Sequence, residues 1–171
     1  VYRHRPQTIA ALEKMVDAYA EERSSEIGEV GSDCRIVGAR FIREVRIGNG
    51  VEIDGASILE NATLCDGARV GVDVKAYDLI AAEGSVIDNG SIVERCFVGE
   101  SCRLDKGFTA AESLFFANSH CENGEAASIF AGPYTVSHHK SSLLIAGMFS
   151  FFNAGSGSNQ SNHLFKSGAV H

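Results

Sequence analysis

The sequence predicts an all-β solenoid, in which short parallel strands wind into stacked coils, preceded by one α-helix. Three observations predict this architecture: apolar residues recur every seventeen residues between Val30 and Ala131, each repeat divides into pieces of six, six and five residues, and Gly, Asn and Asp recur between the pieces. Because pieces this short cannot bury an apolar face alone, the coils must stack about 4.8 Å apart and share one core. We therefore expect about six coils of three short strands each, over residues 26–131.

Three apolar columns and one column of small residues define the predicted core. The first column opens each repeat and comprises Val30, Ile47, Leu64, Ala81, Val98 and Phe115. The second comprises Ile36, Ile53, Val70, Ile87, Leu104 and Cys121, and the third comprises Ile42, Leu59, Ala76, Val93, Ala110 and Ala127. The column of small residues comprises Cys34, Val51, Ala68, Ser85, Cys102 and Ser119. Turn sequences such as Gly48-Asn49-Gly50 and Asp88-Asn89-Gly90 supply residues that tolerate positive φ at sharp corners.

One outward column carries charge and ends in a histidine. It comprises Arg35, Glu52, Arg69, Val86, Arg103 and His120. Charges of opposite sign on neighbouring coils form a surface ladder that is worth only tenths of a kcal/mol per pair. The pattern favours a structural role for this column.

Residues 1–25 differ from the repeats and predict one amphipathic helix over about residues 7–23. Pro6 can open a helix. One face is apolar at helical spacing and comprises Ile9, Leu12, Met15, Val16 and Tyr19. Since an open solenoid end exposes unpaired strand edges, we expect this helix to cover an end or flank of the solenoid.

Composition excludes several classes of partner and compartment. The chain has 171 residues, a net charge of −7 and a pI near 5.3, which argues against nucleic acid. No stretch approaches the roughly 20 apolar residues of a membrane span. The five cysteines form no C-x-x-C pair, and we expect them to be free thiols in the core of a cytoplasmic protein.

The segment 132–171 carries the densest polar chemistry of the chain. Four of the six histidines, His120, His138, His139 and His163, lie between the last clear repeat and the polar tail. A seventeen-residue count would place His138 in the second inward column, where an unpartnered imidazole is costly. We therefore expect the solenoid to continue with a change of register after Ala131.

The repeats resemble the hexapeptide-repeat family, because an aliphatic opener is followed by Gly, Asp or Glu, two variable residues and a small one. The resemblance covers about 100 residues and implies a left-handed β-helix, an exception to the right-handed crossover rule. The string GPYTVSHHKSSLLIAGMFSFFNAGSGSNQSNH and the helix YRHRPQTIAALEKMVDAYA resemble an uncharacterised family of longer, acyltransferase-like bacterial proteins. That resemblance predicts that this chain is an internal, truncated fragment.

The hexapeptide resemblance implies a homotrimer that binds acyl-coenzyme A and transfers the acyl group to a sugar or sugar nucleotide. A histidine would act as general base, and we expect His138 or His139 in that role. Candidate groups for orienting that base and binding the small-molecule substrate are Ser137, Lys140, Asn153, Asn159, Asn162 and His163. The Gly155–Gly157 loop could offer backbone N–H groups to a phosphate.

Two alternatives remain at this level. A zinc-dependent, carbonic anhydrase-like trimer would need three histidines, but His138 and His139 are adjacent and point to opposite faces of an extended strand. We therefore predict no metal ligands from the sequence. The second alternative is a non-catalytic assembly or carbohydrate-binding module, to which the Met148–Phe152 run and the Asn/Ser-rich tail are equally suited.

Overall fold

The computed structural model describes residues 4–25 and 27–161, and these form a parallel β-solenoid of about seven coils preceded by one helix. The predicted fold class is confirmed, with one coil more than the repeat count indicated. The coils that the repeats predict extend without a gap into the segment after Ala131.

The helix α1 spans Pro6–Arg23, close to the predicted bounds. Pro6 occupies the first turn, where its missing N–H costs no hydrogen bond, and the Ser24 N–H bonds the Glu21 carbonyl at the other end. The expected packing of this helix is wrong: no strand of the described chain lies against α1, and Leu12, Met15 and Val16 stay exposed. Helical spacing shows which face is apolar, but not what covers it.

Short strands make up the solenoid. They are β1 (Arg35–Val37), β2 (Ile42–Ile47), β3 (Glu52–Asp54), β4 (Ile58–Leu64), β5 (Arg69–Val70), β6 (Lys75–Ala81), β7 (Val86–Ile87), β8 (Ile92–Val98), β9 (Arg103–Asp105), β10 (Thr109–Ala111), β11 (Leu114–Phe115), β12 (His120–Glu122), β13 (Glu125–Ala127), β14 (Phe130–Ala131), β15 (Val136–Ser137), β16 (Leu143–Ile145), β17 (Met148–Phe149), β18 (Asn153–Ala154) and β19 (Asn159–Ser161).

The strands form two parallel sheets. The first sheet stacks eight strands in the order β1-β3-β5-β7-β9-β12-β15-β18. The second holds eleven strands, because the long strands β4, β6 and β8 continue around a corner and serve two faces. At that corner Asn61 has a φ of 49°, and its side-chain amide donates to Asp78 Oδ1 of the next coil at 2.6 Å.

The interior is the set of columns that the repeats predict. Ile53, Leu59, Leu64, Val70, Ile87, Leu104 and Phe115 are all fully buried. In the third column Ala126, rather than the predicted Ala127, pairs with Ala110 and points inward. The predicted members from the first coil are exposed rather than buried, namely Val30, Ile36 and Ile42. All five cysteines are free; Cys96, Cys102 and Cys121 are buried, whereas Cys34 and Cys65 are half-buried.

Candidate functional site

The turn between β12 and β13 is one residue shorter than the turns before it. Cys121 pairs with Leu104 seventeen residues earlier, but Glu125 pairs with Thr109 only sixteen residues earlier. Phe108 of the preceding coil is fully buried, and a Cβ on Gly124 would lie 3.3 Å from its ring and 2.9 Å from the Ser142 carbonyl oxygen. The Ser142 carbonyl oxygen thus leaves no room for a Cβ at position 124, and the Phe108 ring narrows the same space. The first change of register therefore lies before Ala131, earlier than predicted, and a second one follows Ala131, as the turn after Ser137 shows below.

The next coil begins in the shifted register, and this decides which residue faces the core. Ser137 pairs with Cys121 and is fully buried, so His138 lies outside the core and is exposed. The turn that follows is longer, since Leu143 pairs with Glu125 eighteen residues earlier. Asn123 fastens the short turn to the long one, because its side-chain amide donates to the His138 carbonyl oxygen at 3.1 Å.

Three side chains converge on the outer face at this point, and we call them the His120–Glu122–His138 cluster. His120 and Glu122 lie two residues apart on β12, so both side chains point outward. His120 Nε2 lies 2.8 Å from Glu122 Oε1. The rings of His120 and His138 meet edge to face, with centroids 5.2 Å apart.

Lys106, from the turn of the preceding coil, completes the surroundings of Glu122. Its Nζ donates to Glu122 Oε2 at 2.6 Å. The Glu122 side chain is only 10% exposed, compared with 37% for His120. Each carboxylate oxygen therefore has its own partner, and the two partners hold the plane of the carboxylate.

The charge state of Glu122 follows from these contacts. Burial is the largest single influence on this carboxyl group and by itself raises its pKa. Hydrogen bonds from Lys106 and His120, together with electrostatic attraction to these two groups, outweigh burial and hold the pKa of Glu122 below its ordinary value. Glu122 is therefore ionised at neutral pH and accepts the Nε2–H of His120.

The whole chain, residues 1–171, matches the family model described as a domain of unknown function, DUF4954. The chain belongs to this family. No match was found among the curated proteins or among the solved structures. The arrangement of this DUF4954 chain must therefore be interpreted from its own chemistry.

Two kinds of chemistry are open to the His120–Glu122–His138 cluster. An imidazole that is hydrogen-bonded to a carboxylate is suited to general base catalysis. The three side chains can also offer one ligand atom each to a metal ion, since these atoms all lie within 4.8 Å of one another.

The structure of the DUF4954 chain places the predicted site residues in different surroundings. His138 joins the cluster, whereas His139 and Lys140 are exposed in the following turn and are not members of it. Ser137 points into the core, so its predicted role in orienting a histidine is wrong. Asn153 and Asn159 are exposed on other coils. Asn162 and His163 lie outside the described residues.

The glycine-rich loop has a partner within the chain. The Gly157 N–H, considered above as a phosphate donor, donates instead to Ser141 Oγ at 3.0 Å. This contact fastens the loop to the long turn after His138.

Sequence reasoning missed His120, Glu122 and Lys106. The sequence pattern places His120 in a structural ladder, because it continues a column of residues with alternating charge. Two features of the sequence together could have revealed the cluster. They are the spacing from His120 to His138 and the turn at Asn123, which is one residue shorter than in the earlier repeats. In that shortened register the two histidines lie on the same outer face.

No helix in the described part of the DUF4954 chain combines the length and apolar character needed to cross a membrane.

Proposed function

We propose that this chain transfers an acyl group from acyl-coenzyme A to a hydroxyl or amine of a sugar or sugar nucleotide, with His120 as general base. The observation that supports this proposal best is the 2.8 Å hydrogen bond between His120 Nε2 and the buried, ionised carboxylate of Glu122. The proposal thus moves the base from His138 or His139 to His120.

The catalytic step follows from the tautomer that Glu122 selects. Because Nε2–H donates to Glu122, Nδ1 is the nitrogen that can accept a proton. Nδ1 takes the proton of the acceptor O–H or N–H while the acceptor atom bonds to the thioester carbonyl carbon. When the C–S bond breaks, the imidazolium returns that proton to the departing thiolate. Glu122 stabilises the imidazolium and keeps its own charge.

Cationic side chains near the cluster favour anionic substrates. Lys106 contacts Glu122, and Lys140 is exposed in the turn after His138 without a salt bridge to any described residue. A coenzyme A donor and a sugar nucleotide acceptor both carry phosphates, which lysine binds as a point charge. Lys140 is therefore the side chain that we assign to a substrate phosphate.

An apolar stripe on the second sheet supports assembly as a homotrimer. Outward residues in register on successive coils form it, and they are Ile80, Phe97, Leu114, Phe130 and Met148. Ile80 is 49% exposed and Met148 is 79% exposed. Continuous exposed apolar surface marks protein–protein contact sites, and a neighbouring copy would turn an open face into a substrate cleft.

We extend the proposal to the type of β-helix, the origin of the family and the cellular compartment. We infer that DUF4954 is a hexapeptide-repeat family of left-handed β-helices, of bacterial origin. Five free thiols in a chain without a disulfide favour a reducing cytoplasm.

The test measures acetyl-coenzyme A binding by calorimetry and coenzyme A release with a panel of amino sugars and sugar nucleotides. We expect H120A to reduce turnover by about 10²–10⁴-fold, the usual contribution of a general base. H139A is the matched control, since it removes a nearby exposed imidazole outside the cluster, and it should retain turnover.

Two outcomes would contradict the proposal. One is the absence of acetyl-coenzyme A binding to the wild-type chain. The other is turnover that H120A and H139A reduce equally. The first result would favour the non-catalytic assembly or carbohydrate-binding alternative.

A further inference from the structure

We propose that His120, Glu122 and His138 form a binding site for a divalent transition-metal ion, zinc above all. The three donor atoms come from one chain and from two adjacent coils, and they lie within 4.8 Å of one another. This inference does not rest on acyl transfer, because it requires only that the three side chains keep their positions.

The donor set suits zinc and similar ions. Two imidazole nitrogens and one carboxylate oxygen form a common protein shell for catalytic zinc, with a fourth position left for water. Imidazole also suits cobalt, nickel and copper, whereas magnesium and calcium prefer oxygen ligands. The site should therefore discriminate strongly against magnesium and calcium.

Little movement separates the present arrangement from a metal shell. His120 Nε2 and Glu122 Oε1 now lie 2.8 Å apart. Tetrahedral ligands at about 2.1 Å from zinc lie roughly 3.4 Å from one another, so the pair must open by roughly 0.6 Å. His138 is exposed in a turn and can approach by rotating its side chain, without displacing any core residue.

Lys106 occupies the second oxygen of Glu122 and leaves the first one for the ion. Its ammonium contacts Oε2, on the side of the carboxylate away from the His120 partner oxygen. Residues that hydrogen-bond a metal ligand commonly fix its orientation. Lys106 is thus a positioning residue in this proposal and does not compete for Oε1.

Neighbouring groups of similar chemistry do not offer an equivalent site. Asp105 holds the position before Glu122 in the stack, but its oxygens already accept from Arg103, Asn89 and the Lys106 N–H. His139 follows His138 directly, yet it belongs to no cluster of potential metal ligands among the described residues. His139 is therefore the natural control for His138.

The metal-bound state and the base of the proposed function use the same atoms. A metal ion bound to His120 Nε2 and Glu122 Oε1 would replace the hydrogen bond between these two atoms. The metal-bound chain would then lack the hydrogen-bonded pair on which the proposed base depends. H138A removes one metal ligand and leaves the pair intact. That variant tests the metal site by itself, since it should lose metal binding while the hydrogen bond between His120 and Glu122 remains.

The experiment titrates the 171-residue chain, prepared without a histidine tag, with cobalt(II) and then displaces the cobalt with zinc. We expect one cobalt ion to bind per chain. Its visible absorption bands should be those of cobalt that is bound by nitrogen and oxygen and has a coordination number below six. H138A and E122Q should each weaken binding by more than about tenfold, whereas H139A should bind as the wild-type chain does. Circular dichroism of each variant checks that the solenoid is folded.

Two results would overturn the inference. The first is a folded wild-type chain that binds neither cobalt nor zinc. The second is a folded H138A variant that binds as tightly as H139A. Calorimetry with zinc alone provides the second readout for any variant with weak cobalt bands.

Discussion

Asp105 and Glu122 occupy the same position on adjacent coils, yet their surroundings differ in chemistry. Both carboxylates are buried, and both accept from a side chain two residues earlier and from the turn of the preceding coil. For Asp105 those partners are Arg103 and Asn89, whereas for Glu122 they are His120 and Lys106. Beside Glu122 there is also a third group, the His138 ring of the following coil, which lies edge to face against the His120 ring with a ligand atom within 4.8 Å of the carboxylate.

The difference shows how a repeat can convert a structural ion pair into a chemical site. Arginine keeps its charge at all accessible pH values, so the pair at Asp105 can only stabilise the coil. Histidine at the same position has a ring nitrogen that can accept a proton or bind a metal ion. The shortened turn at Asn123 then places a second histidine outward, where the regular count would have buried it.

Among the variants that test this comparison, we expect D105N to change the free energy of unfolding most. Burial by itself raises the pKa of Asp105, but hydrogen bonds from Asn89, Arg103 and the Lys106 N–H outweigh it and hold that pKa below its ordinary value of 3.8. Ionised Asp105 therefore stabilises the fold above pH 3.8, and this contribution is lost as the pH falls through the lower folded-state pKa. We expect D105N to lower the free energy of unfolding near pH 7 by about 1–3 kcal/mol.

Urea unfolding at a series of pH values measures this contribution. The difference between wild type and D105N should shrink below pH 3.8. E52Q is the control, because the Glu52–Arg69 pair is exposed on both sides, and its loss should cost at most about 1 kcal/mol. A D105N difference that is the same at pH 7 and at pH 3 would contradict a role for the ionised carboxylate.

The sequence predicted the regular coils well because their signal is redundant. The inward columns and the turn residues both recur with the same seventeen-residue period. The buried positions from Ile47 to Cys121 follow this period. The count fails at Asn123 for a physical reason: Ala126 and Ala127 are both small, so either could point inward, and nothing in the pattern selects one. The short turn at Asn123 and Gly124 places Ala126 inward, and the apolar pattern does not reveal that turn.

The candidate site was harder to predict than the fold because it depends on that single register step. In the seventeen-residue count His138 follows Cys121 and faces the core, on the opposite side of the strand from the outward His120 side chain. In the observed register Ser137 takes that place, and His138 reaches the His120 ring. The sequence did identify His138 as a site residue, but its partners come from coils that the pattern assigned to structure alone.

A smaller effect of opposite sign is expected for S137A. Ser137 is fully buried, and its hydroxyl has no hydrogen-bond partner among the described residues. Removing an unsatisfied buried hydroxyl should stabilise the fold, and we expect a gain of about 1 kcal/mol in the free energy of unfolding. Thermal and urea unfolding of the variant measure the change.

S119A is the matched control, at the position just before β12. Ser119 is equally buried, but its hydroxyl donates to the Phe116 carbonyl oxygen at 2.7 Å. Its removal should therefore destabilise the fold by about 0.5–1.5 kcal/mol. If S137A destabilised the chain as much as S119A, Ser137 would have a partner in solution and the register at β15 would need revision.

The central claim is that the shortened coil brings His120, Glu122 and His138 together on one outer face. Nitrogen-15 NMR of the histidine side chains tests this most directly, with wild-type, E122Q, H138A and H139A chains compared at neutral pH. We expect His120 to carry its proton on Nε2, and we expect E122Q and H138A, but not H139A, to shift the His120 ring signals. His120 ring signals that are the same in wild type and H138A would contradict the claim.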